Sequence, residues 1–255
     1  MQNMVTRRAM VIGLGTAALL HPDASGAASQ RRVPFGFRPA APLVEVGADS
    51  RVSGLEYEII AAAMRVPGHE IISYFGPNAR LVQALYRAAV DAIAPAVSLE
   101  GTQFTLSEPY LVYHNVAITL ADRQLSIASM ADLAGLRVNA FQRARKALGA
   151  LFANAVSSFA AYHEEGHQDR QALPLVHDRT DVIIGDRRIL LHHLRMAMAA
   201  MGVWKEWKVH PLFTPTPRSA AFREASIAAD FNAGLAAIRA DGTYQALMDQ
   251  YSTPD

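Results

Sequence analysis

Apolar and polar positions follow two different periods along this chain, one typical of strands and one typical of helices. Short apolar runs predict strands at residues 42–47, 69–75, 90–97, 115–120, 137–141 and 181–185. Between these runs apolar residues recur every three or four positions, as in Leu55, Ile59 and Val66, which predicts amphipathic helices. Strands that alternate with helices are typical of a parallel sheet covered by helices. The pattern therefore predicts an α/β protein.

The alternation occurs in two blocks. The first block ends near residue 97, and the second begins at Asn115. A proline-punctuated stretch, residues 211–217, separates the second block from a long final helix that includes Phe231 and from a last helix that begins at Thr243. Two blocks of this kind predict two α/β lobes.

The first 28 residues have the pattern of an export signal. Arg7-Arg8 precede a short apolar run over residues 9–20, and a stretch of small residues follows at 24–28. The run is shorter than the ~20 apolar residues that span a bilayer. The paired arginines resemble a twin-arginine signal, and a buried N-terminal helix is the structural alternative. We therefore expect a mature protein that is exported to the periplasm and soluble.

Composition narrows the possible functions. Of the 255 residues, 51% are apolar and 18% are charged, which is enough apolar material for a packed core. The formal net charge of +1 argues against a nucleic-acid partner, because such binders usually carry a concentrated basic excess. The absence of cysteine excludes disulfides, thiolate metal sites, a cysteine nucleophile and a lipid anchor on cysteine.

Four stretches resemble, in order, the type 2 periplasmic solute-binding proteins, family 3, most of which bind amino acids for uptake transporters. The stretches are residues 42–58, residues 90–93 with 106–110, residues 132–138 (DLAGLRV), and residues 222–244, which end in ADGTY. The resemblance implies a two-lobed α/β fold of periplasmic binding protein type 2, with a mixed sheet flanked by helices in each lobe. Lobe 1 would comprise residues 31–113 plus 214–255, and lobe 2 residues 114–213, with two hinge crossovers between them.

The same resemblance implies what the protein does. It implies a monomeric receptor without a cofactor that captures a small polar ligand in the cleft between the lobes, for an ABC uptake transporter or a sensor. The ligand would be amino-acid-like, or a related amine or acid. No catalysis would be required.

Several positions correspond to ligand contacts of that family. Asp186 stands where an acid takes the ammonium of the ligand, although it could instead cap the helix that follows. Phe37 stands near an aromatic residue that lies over the ligand, although burial alone would also explain a phenylalanine. Phe141 could pack against the ligand from lobe 2, and Ser98 keeps its place in lobe 1.

The arginine that normally holds the carboxylate of the ligand is missing from residues 99–103. The remaining polar candidates are Gln103, Arg38, Gln142, Arg143 and Arg145. The last three stand where the family has a turn whose backbone amides meet the carboxylate at a helix N-terminus. A solvated basic face is the alternative for these three residues.

A competing motif is His163-Glu164-Glu165-Gly166-His167, which fits the zinc peptidase pattern H-E-x-x-H. Gly166 would cost this helix ~1 kcal/mol of propensity. A third zinc ligand would have to come from Asp186, His192 or His193. A surface helix or loop is the simpler interpretation.

A second enzymatic alternative is a lyase or dehydratase that uses the cleft of the binding-protein fold, because a fold does not fix a function. Its acid–base groups would have to be cleft residues such as Glu100, His114 or Asp186. The sequence contains no paired-carboxylate or triad pattern that favours this alternative.

Overall fold

The computed structural model describes residues 31–96, 99 and 103–252. The predicted signal peptide, residues 1–28, lies outside these residues. The described chain forms two five-stranded sheets flanked by helices, as predicted for a two-lobed α/β fold. No described helix combines the length and the apolar character that crossing a membrane requires.

The first sheet and the elements around it come first along the described residues. The strands before the second sheet are β1 (Arg32–Phe37), β2 (Glu45–Val46), β3 (Val52–Ser53), β4 (Glu70–Phe75), β5 (Ala92–Ala94), β6 (Thr105–Leu106) and β7 (Leu111–Tyr113). The helices in this part are α1 (Leu55–Arg65) and α2 (Asn78–Tyr86).

The second sheet and the return of the chain follow. The strands are β8 (Asn115–Leu120), β9 (Arg137–Phe141), β10 (Ala161–Glu165), β11 (Val182–Asp186), β12 (Trp207–His210), β13 (Thr216–Arg218) and β14 (Ala221–Phe222). The helices are α3 (Ala144–Ala147), α4 (Gly149–Ala155), α5 (Ala172–Val176), α6 (Arg187–Met201), α7 (Ala225–Ala240) and α8 (Thr243–Gln250).

The first sheet has the strand order β4-β1-β5-β14-β6. Strand β1 pairs in parallel with both β4 and β5, whereas β14 returns antiparallel to β5. Phe35, Phe222 and Phe231 form part of the core between this sheet and helices α1 and α7. The two helices approach closely because Gly234 lacks a side chain, since a Cβ atom there would lie 1.9 Å from the carbonyl oxygen of Ala63.

The second sheet has the strand order β10-β9-β11-β8-β12. Strand β9 lies parallel to β10 and β11, and β8 lies antiparallel to β11 and β12. Its two faces are covered by separate apolar clusters, one that includes residues of α5 and α6 and one centred on Phe152. Strands β8 and β11 are therefore mostly apolar, as expected for strands that are buried on both faces, whereas β9 also contains Arg137 and the buried Asn139.

The two chain segments that join the sheets run side by side. Strand β7 pairs antiparallel with β13, so that Val112 lies opposite Pro217. Helix α6 holds this region from lobe 2, because Arg188 Nη1 donates a hydrogen bond of 3.1 Å to the carbonyl oxygen of Val112. The first sheet takes its strands from residues 31–113 and 214–255, and the second takes its strands from 114–213.

One strand prediction is wrong. Residues 42–47 do not form the opening strand, because residues 41–43 lie in a turn, Val44 makes only an isolated bridge to Ala40, and Glu45–Val46 form a two-residue strand that pairs with β3. The opening strand is β1, an interior strand of its sheet between β4 and β5. Its sequence, RVPFGF, contains a proline and a glycine, two residues that are depleted in strands. Because of this composition, the pattern of apolar residues does not predict the strand.

Candidate functional site

A cavity of about 750 Å³ lies between the two lobes, which is within the usual size range of small-molecule sites. Its walls come from three parts of the chain. Lobe 1 contributes Arg38, Phe75, Asn78 and Pro95; the crossover region contributes Tyr113, Asn115 and Arg218; and lobe 2 contributes Phe141, Gln142, Arg143, Glu165, His167, Gln168 and Asp186.

Asp186 is the last residue of β11 and the N-cap of α6. Its carboxylate Oδ1 accepts hydrogen bonds from the amides of Arg188 (3.0 Å) and Ile189 (3.4 Å), and Oδ2 accepts one from the amide of His114 (2.9 Å). Burial raises the pKa of Asp186, and these amides act in the opposite direction. The structure thus gives Asp186 the predicted capping role and also places it on the cavity wall. Its contact with a ligand stays a prediction.

The turn before α3 is already occupied by a carboxylate of the protein. Glu164 on β10 accepts hydrogen bonds from the backbone amides of Arg143 (2.7 Å) and Arg145 (3.0 Å) and from the Tyr162 hydroxyl (2.8 Å). Arg143 adopts a φ of 64°, in the left-handed region that favours glycine. The hydrogen bonds from these neighbours lower the pKa of Glu164 against the effect of burial.

Some of the predicted residues of this turn line the cavity and one does not. Gln142 and the exposed Arg143 line the cavity together with the half-buried Phe141. Arg145 does not line it, and its guanidinium carbon instead lies 5.9 Å from the centre of the Tyr162 ring. This placement corrects the prediction that Arg145 faces the ligand. It fits the exposed basic face that was the alternative.

On the lobe 1 side the prediction for Phe37 is corrected. Its side chain is fully buried in the core, with its ring 4.8 Å from that of Phe35 and 5.3 Å from that of Tyr57. The aromatic ring on the cavity wall is that of Phe75, at the end of β4 next to β1. Phe37 and Phe75 are paired residues on neighbouring strands, and their rings lie 6.4 Å apart on the same face of the sheet. The Phe37 ring is enclosed by Phe35 and Tyr57, whereas the Phe75 ring reaches the cleft. Local sequence does not show which of two such neighbours the rest of the lobe covers.

Arg38 follows β1 and lines the cavity, and its contact with a ligand stays a prediction. Its Nη1 donates a long hydrogen bond of 3.4 Å to Oε1 of Gln168 in the opposite lobe. Gln103 is exposed and does not line the cavity, so its predicted ligand role is not supported. Ser98 lies outside the described residues.

The sequence analysis missed a charged cluster at the crossover. Arg218 on β13 places its guanidinium carbon 4.4 Å from the centre of the Tyr113 ring. The Tyr113 hydroxyl donates a hydrogen bond of 2.7 Å to Oε2 of Glu56, a residue of α1 with only 1% of its surface exposed. Burial raises the pKa of Glu56, and the nearby Arg38 and Arg218 oppose that shift.

The H-E-x-x-H motif does not form a metal site. His163, Glu164 and Glu165 lie on strand β10, which corrects the expectation of a surface helix or loop. Glu164 accepts bonds from the turn before α3, whereas His163 is largely exposed. His167 lies beyond the strand, so the two histidines are not one helical turn apart. In the part of the chain that the structure describes, no three His, Cys, Asp or Glu side chains are grouped so that they could hold a metal ion.

The fold agrees with comparisons to known proteins. The chain is 24% identical over 251 residues to ABC transporter arginine-binding protein 1 of Escherichia coli (strain K12). This alignment covers 92% of this chain and 96% of that protein. An ancestral arginine-binding protein bound to arginine superposes with a TM-score of 0.69 at 15% identity, over 87% of this chain and 98% of the other.

A second similar structure is that of an ancestral amino acid-binding protein described as a precursor of cyclohexadienyl dehydratase. Its TM-score is 0.68 at 16% identity, over 87% of this chain and 96% of the other. At this level of identity the two structural likenesses show a shared fold. Residues 33–254 match the family of bacterial extracellular solute-binding proteins, family 3, and the chain therefore belongs to that family.

Proposed function

We propose that this protein is a periplasmic receptor that captures one small, amino-acid-like solute in the cavity between its lobes and presents it to a membrane transporter or sensor. The observation that carries the proposal is the distribution of charge around the cavity. Arg38 and Arg218 lie on the side of lobe 1 and the crossover, while Asp186 and Glu165, together with a single arginine, Arg143, lie on the side of lobe 2. A ligand with one anionic and one cationic end matches this distribution.

The crossover provides a hinge for such a receptor. We infer that residues 31–113 plus 214–255 and residues 114–213 move as two bodies about the paired strands β7 and β13. The hydrogen bond between Arg38 and Gln168 joins the two sides of the cleft at 3.4 Å. Closure of the lobes on the solute would exclude water and strengthen its polar contacts.

The cavity favours a receptor over a lyase. Of the acid–base candidates, Glu100 lies outside the described residues, and the exposed His114 does not line the cavity. Asp186 lines the cavity, but its carboxylate already accepts three backbone hydrogen bonds. We therefore infer binding without chemical conversion, by a monomer that is not anchored to lipid.

A ligand screen tests this proposal. Thermal unfolding of the mature protein would be followed with the common amino acids, their decarboxylated amines and small carboxylic acids, and each hit would be titrated by calorimetry. We expect saturable, one-to-one binding of at least one amino acid and an unchanged NMR spectrum of that ligand after long incubation. Conversion of the ligand would support the lyase instead, and the absence of any hit would contradict the proposal.

A further inference from the structure

We propose that Arg38 and Arg218 together form the subsite for the carboxylate of the ligand, and that Glu164 closes the alternative anion site in lobe 2. This inference rests on the proposed function, since it assigns one end of the solute to one wall of the cavity. The two arginines are 180 residues apart in the sequence, and the fold brings both to the same cavity.

Arg218 is held in a position suited to a carboxylate. Its guanidinium carbon lies 4.4 Å from the centre of the Tyr113 ring, and its Nε is buried without a hydrogen-bond partner. Stacking on an aromatic face fixes the plane of a guanidinium group, whose N–H groups then match the two oxygens of a carboxylate. A buried donor without a partner is costly, so an acceptor on the ligand would stabilise this arrangement.

Glu56 determines the net charge under this subsite. It lies beneath the cavity, where Tyr113 donates to its Oε2, while its Oε1 is buried without a hydrogen-bond partner. Tyr113 links Glu56 to this wall, because its hydroxyl holds Glu56 and its ring carries Arg218. The charges of Arg38 and Arg218 both oppose the rise in the pKa of Glu56 that burial causes, so one carboxylate is shared by two guanidinium groups. When Glu56 is ionised, one positive charge remains unbalanced, and when it is protonated, two remain. In both states the wall attracts an anion.

The turn before α3 in lobe 2 does not offer free amides to a ligand carboxylate, because Glu164 already accepts hydrogen bonds from the amides of Arg143 and Arg145. A ligand carboxylate at these amides would have to displace an internal carboxylate that Tyr162 also holds. Two carboxylates at the same amides would repel each other. Glu164 is therefore a specificity-determining residue that directs the anionic end of the ligand to Arg38 and Arg218.

Matched acid and amide ligands test the assignment. The probes are L-arginine with L-argininamide and L-glutamine with L-glutaminamide, titrated by calorimetry against the wild type and the variants Arg38→Gln, Arg218→Gln and Arg143→Gln. We expect the wild type to prefer the acid at least tenfold. Arg38→Gln and Arg218→Gln should each weaken binding of the acid at least tenfold and reduce this preference. Arg143→Gln tests the competing site, since Arg143 lines the cavity from the opposite lobe, and it should weaken binding of the acid less than Arg218→Gln does.

The outcomes separate this inference from the proposed function. If the amides bind as well as the acids, or if Arg143→Gln loses more affinity than Arg218→Gln, the subsite is wrong while the receptor stands. If no amino acid, amine or acid binds, the receptor itself is wrong. Unfolding temperatures close to that of the wild type would show that the Arg38→Gln and Arg218→Gln variants are folded.

A second measurement does not depend on the natural ligand. Titration of ¹⁵N-labelled protein with acetate should shift the Nε–Hε signal of Arg218, which is assigned by its disappearance in Arg218→Gln. Acetamide at the same concentrations is the neutral control and should leave the signal in place. Equal shifts with both compounds, or no shift with acetate, would overturn the assignment whether or not the screen had found a ligand.

Discussion

Asp186 has two structural tasks that can be separated from its predicted task in binding. Oδ1 caps helix α6 through the amides of Arg188 and Ile189, and Oδ2 holds the crossover through the amide of His114. Alanine at this position would remove both contacts. Asparagine would keep an oxygen for the helix cap but would present an NH₂ group to the amide of His114.

The magnitudes follow from these contacts. Loss of an N-cap costs ~1 kcal/mol, and an unpaired amide costs ~1–3 kcal/mol, with the lower value expected because the exposed His114 admits water. Burial raises the pKa of Asp186, so removal of its charge offsets part of this loss. We expect Asp186→Ala to lower the free energy of unfolding by ~2 kcal/mol and Asp186→Asn to lower it by ~1 kcal/mol.

Urea unfolding followed by circular dichroism measures these differences, and calorimetry with the best amino acid of the ligand screen measures binding. If Asp186 contacts an ammonium group, both variants should lose ~2–4 kcal/mol of binding free energy. If it only caps and anchors, Asp186→Asn should bind as the wild type does. Unchanged stability in Asp186→Ala would refute the structural argument, and unchanged affinity in Asp186→Asn would refute the contact with the ligand.

Two further predictions concern the stability of each lobe. Gly234→Ala would place a Cβ atom 1.9 Å from the carbonyl oxygen of Ala63. The overpacking should cost ~3 kcal/mol of unfolding free energy, which exceeds the ~1 kcal/mol gained in helix propensity. The control is Gly166→Ala, which has open space around it and should be neutral in the same urea assay. Asp181 accepts three hydrogen bonds from Arg137, one of them from its backbone amide, and these lower the pKa of Asp181. A lowered pKa in the folded state contributes stability above pH ~4, and this stability is lost as the pH falls through the folded pKa. We therefore expect Asp181→Asn to be ~1–2 kcal/mol less stable than the wild type at pH 7 and close to the wild type at pH 2. An equal difference at both pH values would contradict this explanation.

Strongly periodic elements of the fold could be predicted from the sequence. The run Val182–Asp186 is apolar on both faces, and helix α6 behind it has regular apolar spacing. Elements whose form depends on tertiary neighbours could not be predicted. Strand β1 contains proline and glycine, yet it forms an interior strand of its sheet because Val33, Phe35 and Phe37 fill the lobe 1 core. Burial of these three side chains outweighs the weak local strand preference.

Strand β10 could not be predicted either, because its residues are mostly polar. Its sequence, AYHEE, lacks an apolar pattern, and it forms an edge strand because its backbone pairs with β9. A metal motif in this segment assumes helical spacing, but in a strand Glu164 and its two neighbours point to opposite faces. The fold uses the glutamate to hold the turn at Arg143, a contact between residues 21 positions apart. Local sequence does not encode such a contact.

The same reasoning explains which part of the cavity could be predicted. Asp186 and Phe141 could be placed there because each ends a strand of lobe 2, and the carboxyl ends of neighbouring parallel strands meet at one edge of a sheet. Arg218 lies on a short strand of the return crossover, and Glu56 lies on a helix that no motif connects to the cleft. Their proximity depends on the antiparallel pairing of β7 with β13, which places Arg218 beside Tyr113 and so above the carboxylate of Glu56. The charge of the lobe 1 wall is therefore a property of the topology, and no single segment of the sequence carries it.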